Sequence, residues 1–121
     1  MKVPGPRNPL LRLRTTWPAQ RAVLVTARGA LDSATAGDLA ALVSDRLWAV
    51  PERLTIDLSE VDFLGVAGVR VLLHAALQAE QNGTDLQVVT GTNPMIRRAL
   101  RVTEADRRLS LATLRPEPAP A

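Results

Sequence analysis

His74 is the only histidine of this 121-residue chain, and cysteine is absent. A metal site needs several His, Cys, Asp or Glu side chains converging on one point. A nucleophile needs a base within hydrogen-bond reach. His74 stands alone in a helical pattern, which favours a solvated or half-buried residue over a ligand or base. Ser59, Thr90 and Thr92 carry hydroxyls, but nothing marks them as phosphate acceptors. Asp57 ends an apolar alternation and is assigned no chemistry. No nucleophile–base pair, Gly-rich phosphate loop or metal spacing occurs in the sequence. These residues predict a non-enzyme with no cofactor and no metal.

The place where chemistry would be sought is VDFLGVAGVRVLLHAAL, residues 61–77. A mainly apolar run, Val61 to Leu64, meets Gly65, and a helical pattern begins after Ala67-Gly68. Such a strand-to-helix junction presents backbone N–H groups and often seats an anion or a catalytic side chain. Here Gly65-Val66-Ala67-Gly68 offers no hydroxyl, thiol, imidazole or charge. Two readings stand: a tight packing turn, or an apolar patch of Val66, Ala67 and Val69 for a protein partner. Burying such a patch in a complex is favourable by about 25 cal/mol per Å².

The elements around the junction follow from periodicity. Leu11 to Trp17 alternates Leu11, Leu13, Thr15 and Trp17 against Arg12, Arg14 and Thr16, a half-exposed strand that Pro18 ends. Arg21 to Arg28 reads as a second, more buried strand after a hairpin-like turn. Gly29 breaks it. In GALDSATAGDLAALVSDRLWAV, Ser33 or Thr35 can cap a helix, and Thr35 with Asp38 fits a capping box. Ala36, Leu39, Val43, Leu47 and Val50 form its apolar face, and Pro51 closes it. Leu54, Ile56 and Leu58 alternate in a third strand, and SEVDFL is expected as the loop out of it. Val69, Leu72, Leu73, Ala76 and Leu77 make a second helix, stopped at Asn82-Gly83. Asp85 to Thr90 is a fourth strand. Asn93 caps and Pro94 opens a third helix with Met95, Ile96, Leu100 and Val102 as its apolar set. A short element near Leu109 to Leu114 follows.

This order predicts an α/β fold: a single domain over residues 10–114, with a four- to five-stranded mixed, mostly parallel sheet packed with three main helices. The first strand, joined by a tight turn, should be antiparallel. Residues 1–9 read as a flexible lead-in, and residues 115–121, with PEPAPA, as a disordered Pro-rich tail. The exposed edge of the first strand could pair with a second copy as a homodimer.

Composition excludes several classes. The chain is 46% hydrophobic and 22% charged, ordinary for a globular protein. No stretch approaches the roughly 20 apolar residues of a membrane span, and the N-terminus lacks the apolar core of a secretory signal. The absence of cysteine fits a reducing cytoplasm. Aromatic residues are only 2%, too few for a protein that stacks bases. The net charge is +3, and the arginines are interleaved with Asp and Glu, so nucleic acid is not an expected partner. Arg97, Arg98, Arg101, Arg107 and Arg108 either face an acidic partner or form a solvated face with Glu104 and Asp106.

With these elements in order, LTIDLSEVDFLGVAGVRVLLHAALQAEQNGTDLQVV resembles the centre of a STAS domain of the anti-sigma factor antagonist type. The likeness extends upstream through GALDSATAGDL and downstream through TNPMIRRALRV, over roughly residues 10–113. It rests on Gly29, Leu31 and Asp32 before the first helix, Asp57 closing the central strand, Val61, Phe63 and Leu64, and Gly68 in the helix. The chain departs from the family at its working residues. Where the family carries Asp-Ser-Ser-Gly or Asp-Ser-Thr-Gly, this chain has Gly65-Val66-Ala67-Gly68. The phosphorylatable serine aligns with Val66 and its acidic neighbour with Gly65.

The resemblance implies a protein that binds an anti-sigma factor that is also a serine kinase, and thereby frees the sigma factor. In ordinary members a phosphate on the serine adds about −1.5 to −2 charges to the docking patch and weakens the complex. Val66 cannot accept one. The implied partner surface comprises Asp32, Ser33, Gly65, Val66, Ala67, Gly68, Val69 and Arg70, with Asp32 read equally as the first helix's cap. An alternative within the resemblance is an accessory subunit of an ABC lipid-transport ATPase, or of a larger signalling complex, which needs a docking face and no phosphoswitch.

Overall fold

The computed structural model describes residues 10–115. The expectations for residues 1–9 and for the tail beyond Arg115 lie outside the described residues. Five strands and three helices alternate along the chain: β1 (Leu11–Ala19), β2 (Ala22–Leu31), α1 (Ala36–Trp48), β3 (Arg53–Leu64), α2 (Val66–Asn82), β4 (Asp85–Val89), α3 (Pro94–Val102), a 3-10 turn (Ala105–Arg107) and β5 (Leu111–Ala112).

The strands lie in one sheet in the order β1-β2-β3-β4-β5. β1 is antiparallel to β2, and the other neighbours are parallel. The α/β class, the mixed sheet and the antiparallel first strand therefore match the sequence expectation. Each crossover steps one strand in the same direction. Right-handed connections of that kind put all three helices on one face of the sheet. Val23, Val25 and Ala27 of β2 meet Leu54, Ile56 and Leu58 of β3 and Leu86 and Val88 of β4 there, joined by Leu39, Val43 and Leu47 of α1, Leu72 of α2, and Ile96 and Leu100 of α3. The opposite face carries the alternate residues, among them Arg12, Arg14 and Thr16 of β1 and Thr26 and Arg28 of β2. No helix of the described residues is long and apolar enough to cross a membrane.

Several local expectations are corrected. SEVDFL is not a loop: β3 runs on to Leu64. Its pairing with β2 shifts twice, between Thr26 and Arg28 and between Gly29 and Ala30, and both extra residues fall in β3. A bulge advances the side-chain alternation by one. Leu58, Val61 and Leu64 are all buried at a spacing of three rather than two, so the period-two pattern breaks at Leu58 although the strand does not. Pro18 does not end β1, which continues to Ala19 past an irregularity between Thr16 and Ala19. A proline is tolerated there because β1 is an edge strand. Val50 is 44% exposed, in the left-handed region with φ 51°, because α1 has already ended at Trp48. Leu77, Met95 and Val102 are also exposed, and Ala75 and Ala79 take the buried positions of α2 instead of Leu77.

Candidate functional site

Two neighbouring connections at the C-terminal end of the parallel strands build the site. In the ladder Leu31 pairs with Leu64, and the Gly65 N–H donates to the Leu31 carbonyl at 2.8 Å. The β2–α1 loop, with Asp32 and Ser33, is thus tied to the β3–α2 junction, with Gly65, Val66 and Ala67.

Asp32 organises its loop. Its Oδ1 accepts the N–H groups of Ala34 at 2.9 Å and Thr35 at 3.1 Å, and its carbonyl accepts the Ala36 N–H at 2.9 Å. The helical hydrogen-bond pattern therefore begins at Asp32, and its carboxylate satisfies the N–H groups that a helix start leaves unpaired. The expected Thr35–Asp38 capping box is absent. The Thr35 hydroxyl donates to the Ala30 carbonyl at 2.7 Å and accepts the Asp32 N–H at 2.9 Å, which locks the loop from inside. Ser33 is exposed on the same loop.

The junction itself is bare. Gly65, at φ −91° and ψ 178°, occupies the cap position of α2 with no side chain to offer. The first turn then presses against the sheet. A Cβ on Gly68 would lie 2.7 Å from Leu64 Cδ1 and 3.0 Å from Leu31 Cβ, distances that only a glycine avoids. This close approach fixes which residues face outward. Val66 is 60% exposed and Phe63 45% exposed, while Arg70 is exposed and Ala67 half-buried. Gly68 is buried and Val69 is only 2% exposed. Both are therefore removed from the expected contact surface: they face the sheet, one helical turn before Leu72.

Phe63, not Val69, is the apolar side chain exposed beside Val66. A Cβ at Gly65 would meet its Cε2 at 3.2 Å, so the ring lies against the glycine and extends the apolar surface beside Val66. Sequence reasoning used Phe63 only as part of a resemblance. Its outward aim is the one that alternation from Leu58 already gives, because the two bulges of β3 cancel by Leu64; what they change is Val61, which they turn inward.

The other candidates sit elsewhere. Asp57 is buried on the helix-free face; its Oδ1 accepts the Ser59 N–H at 2.9 Å, and its Oδ2 pairs with Arg115 Nε at 3.1 Å. It secures the first bulge and the segment that follows β5. Arg107 pairs with Glu104 at 3.3 Å, and Arg97 donates to the Thr113 hydroxyl. His74 is exposed on α2. Among the described residues no group of three His, Cys, Asp or Glu is placed to hold a metal ion.

With this arrangement, a family model described as "Mlab, STAS domain" matches residues 15–116. The chain belongs to the STAS domain family. This STAS domain is 35% identical over 71 residues to the anti-sigma-F factor antagonist RsfA of Mycobacterium tuberculosis, a match of 57% of the chain and 56% of that protein. It thus spans about half the length of the curated relative it matches. The crystal structure of an anti-sigma factor antagonist from Mycobacterium paratuberculosis is similar to this STAS domain with a TM-score of 0.79 at 26% identity, covering 86% of each chain. SpoIIAA, a Bacillus cell fate determinant in its phosphorylated form, is similar in fold, with a TM-score of 0.65 at 14% identity over 84% of this chain and 92% of that one.

Proposed function

We propose that this STAS domain is a non-enzymatic cytoplasmic regulator that binds an anti-sigma factor of the serine-kinase type and releases a sigma factor by partner switching. The contact surface is Val66, Ala67 and Phe63 with Asp32, Ser33 and Arg70 around them. Its switch position, Val66, takes no phosphate, so binding is not turned off there. The observation that carries this reading is the outward aim of Val66 from a junction held rigid by Gly68 and by the Gly65–Leu31 hydrogen bond. The names of the Mycobacterium relatives support the class of partner.

Affinity capture from the source cells tests it, with the wild-type domain and Val66→Glu as baits and mass spectrometry as readout. The wild type captures a kinase-like anti-sigma factor, and the glutamate, a charge in the centre of the patch, weakens that complex by more than about tenfold. Incubated with the captured kinase and ATP, Val66→Ser gains one phosphate and the wild type gains none at residues 65–68. A transport ATPase bound equally by both baits would make the domain an accessory subunit and the junction mere packing.

A further inference from the structure

We infer that the outer edge of β1 is a second binding site, one that takes an extended segment of alternating acidic and apolar residues from a partner protein as an added strand.

β1 is terminal in the sheet, and among the described residues no strand pairs with its outer edge. A cleft of about 930 Å³ is lined by β1 residues of both faces and reaches across the sheet to Glu60 of β3 and Arg115. Arg12, Arg14 and Arg28 line it on the helix-free side, and Leu11, Leu13 and Ala41 on the helix side. The three arginines are exposed, and among the described residues none of them closes an ion pair. Arg12 stands directly opposite Arg28 in the ladder, and like charges in that position repel. Glu60 neighbours Arg28 in register without reaching ion-pair distance, and Asp38 lies on the cleft's helix side. The excess charge beside β1 is positive and is left for something outside the fold.

The geometry selects the form of the occupant. A strand added to β1 sends alternate side chains to opposite faces. One set meets Arg12, Arg14 and Arg28; the other meets Leu13 and Ala41, Leu11 being itself buried in the core. Acidic residues suit the first set and apolar residues the second, while main-chain hydrogen bonds to β1 supply the common affinity. A second copy suits this edge poorly, since an antiparallel β1–β1 pairing centred on Leu13 would bring Arg12 and Arg14 of one copy onto those of the other. A nucleic acid finds no ring to stack on, because no aromatic side chain lines the cleft. The site shares no residue with the α2 junction.

Two fluorescently labelled peptides test the inference: one alternating glutamate and valine over eight residues, and its isomer with the glutamates and valines in separate blocks. Anisotropy titration of the whole chain gives binding of the alternating peptide at least about tenfold tighter than of the block isomer. Arg12→Glu/Arg14→Glu reduces that binding by more than about tenfold. Amide NMR shifts on adding the peptide concentrate on residues 11–16. Val66→Glu binds the peptide as the wild type does. Both arginines are exposed, and unchanged circular dichroism verifies that the double variant folds. Equal binding of the block isomer, loss of binding in Val66→Glu, or no binding of either peptide at millimolar concentration overturns the inference. So does sedimentation showing a dimer that Arg12→Glu/Arg14→Glu dissociates, which would assign the edge to a second copy.

Discussion

Three strands of this sheet run into helices at the same end, and their junctions are built in two ways. Before α1, Asp32 accepts two backbone N–H groups. Before α3, the Asn93 side chain accepts the Met95 N–H at 3.0 Å, and Pro94 removes another donor. Before α2, Gly65 offers nothing. The capped junctions hold their helices through hydrogen bonds made by one side chain. The bare one relies on contact, Gly68 against Leu31 and Leu64. α2 can therefore present N–H groups and apolar side chains outward without loosening, because its anchor lies one turn inside the helix.

The comparison breaks most strongly at that anchor. Gly68→Ala forces Leu31 and Leu64 to shift and lowers stability by about 1–3 kcal/mol, as overpacking does; urea unfolding measures it. Gly37→Ala in α1, where an added Cβ meets nothing within 4 Å, instead gains a few tenths to about 1 kcal/mol from helix propensity. A loss at position 68 no larger than the change at position 37 would show that the close approach is not what holds α2. At the capped junctions, Asp32→Ala and Asn93→Ala each cost about 0.5–2 kcal/mol, with Asp32→Ala the costlier because it frees more donors. The smallest effect sharpens the contrast: Gly65→Asp supplies the missing cap and gains only a few tenths of a kcal/mol, since Phe63 must move aside. A large gain there would mean that the bare junction is strained rather than supported from within.

Much of this was legible in the sequence. Period-two alternation located β1 and the first half of β3, and the Asn93-Pro94 and Asn82-Gly83 signals marked helix ends that the structure bears out at Pro94 and Asn82. What escaped was set by partners distant in sequence. The bulges of β3 depend on β2, and they decide that Val61 faces inward. Val69 fits an apolar helix-start patch by type, yet helix rotation, set by Gly68 on Leu31, turns it inward. The charged cleft at β1 requires Arg12 and Arg28, 16 positions apart, to be brought opposite each other. No local pattern contains that fact.

The two extra residues in β3 also separate aim from identity. Removing the residue at either bulge would invert the parity of everything after it, sending Phe63 inward and Leu64 outward. Substituting residues 65–67 leaves that parity untouched. The direction in which this end of the molecule looks is a property of chain length between Asp57 and Gly65, whereas what it offers is a property of three letters. A partner's preference can therefore be rewritten at those letters while the frame that aims them stays as it is.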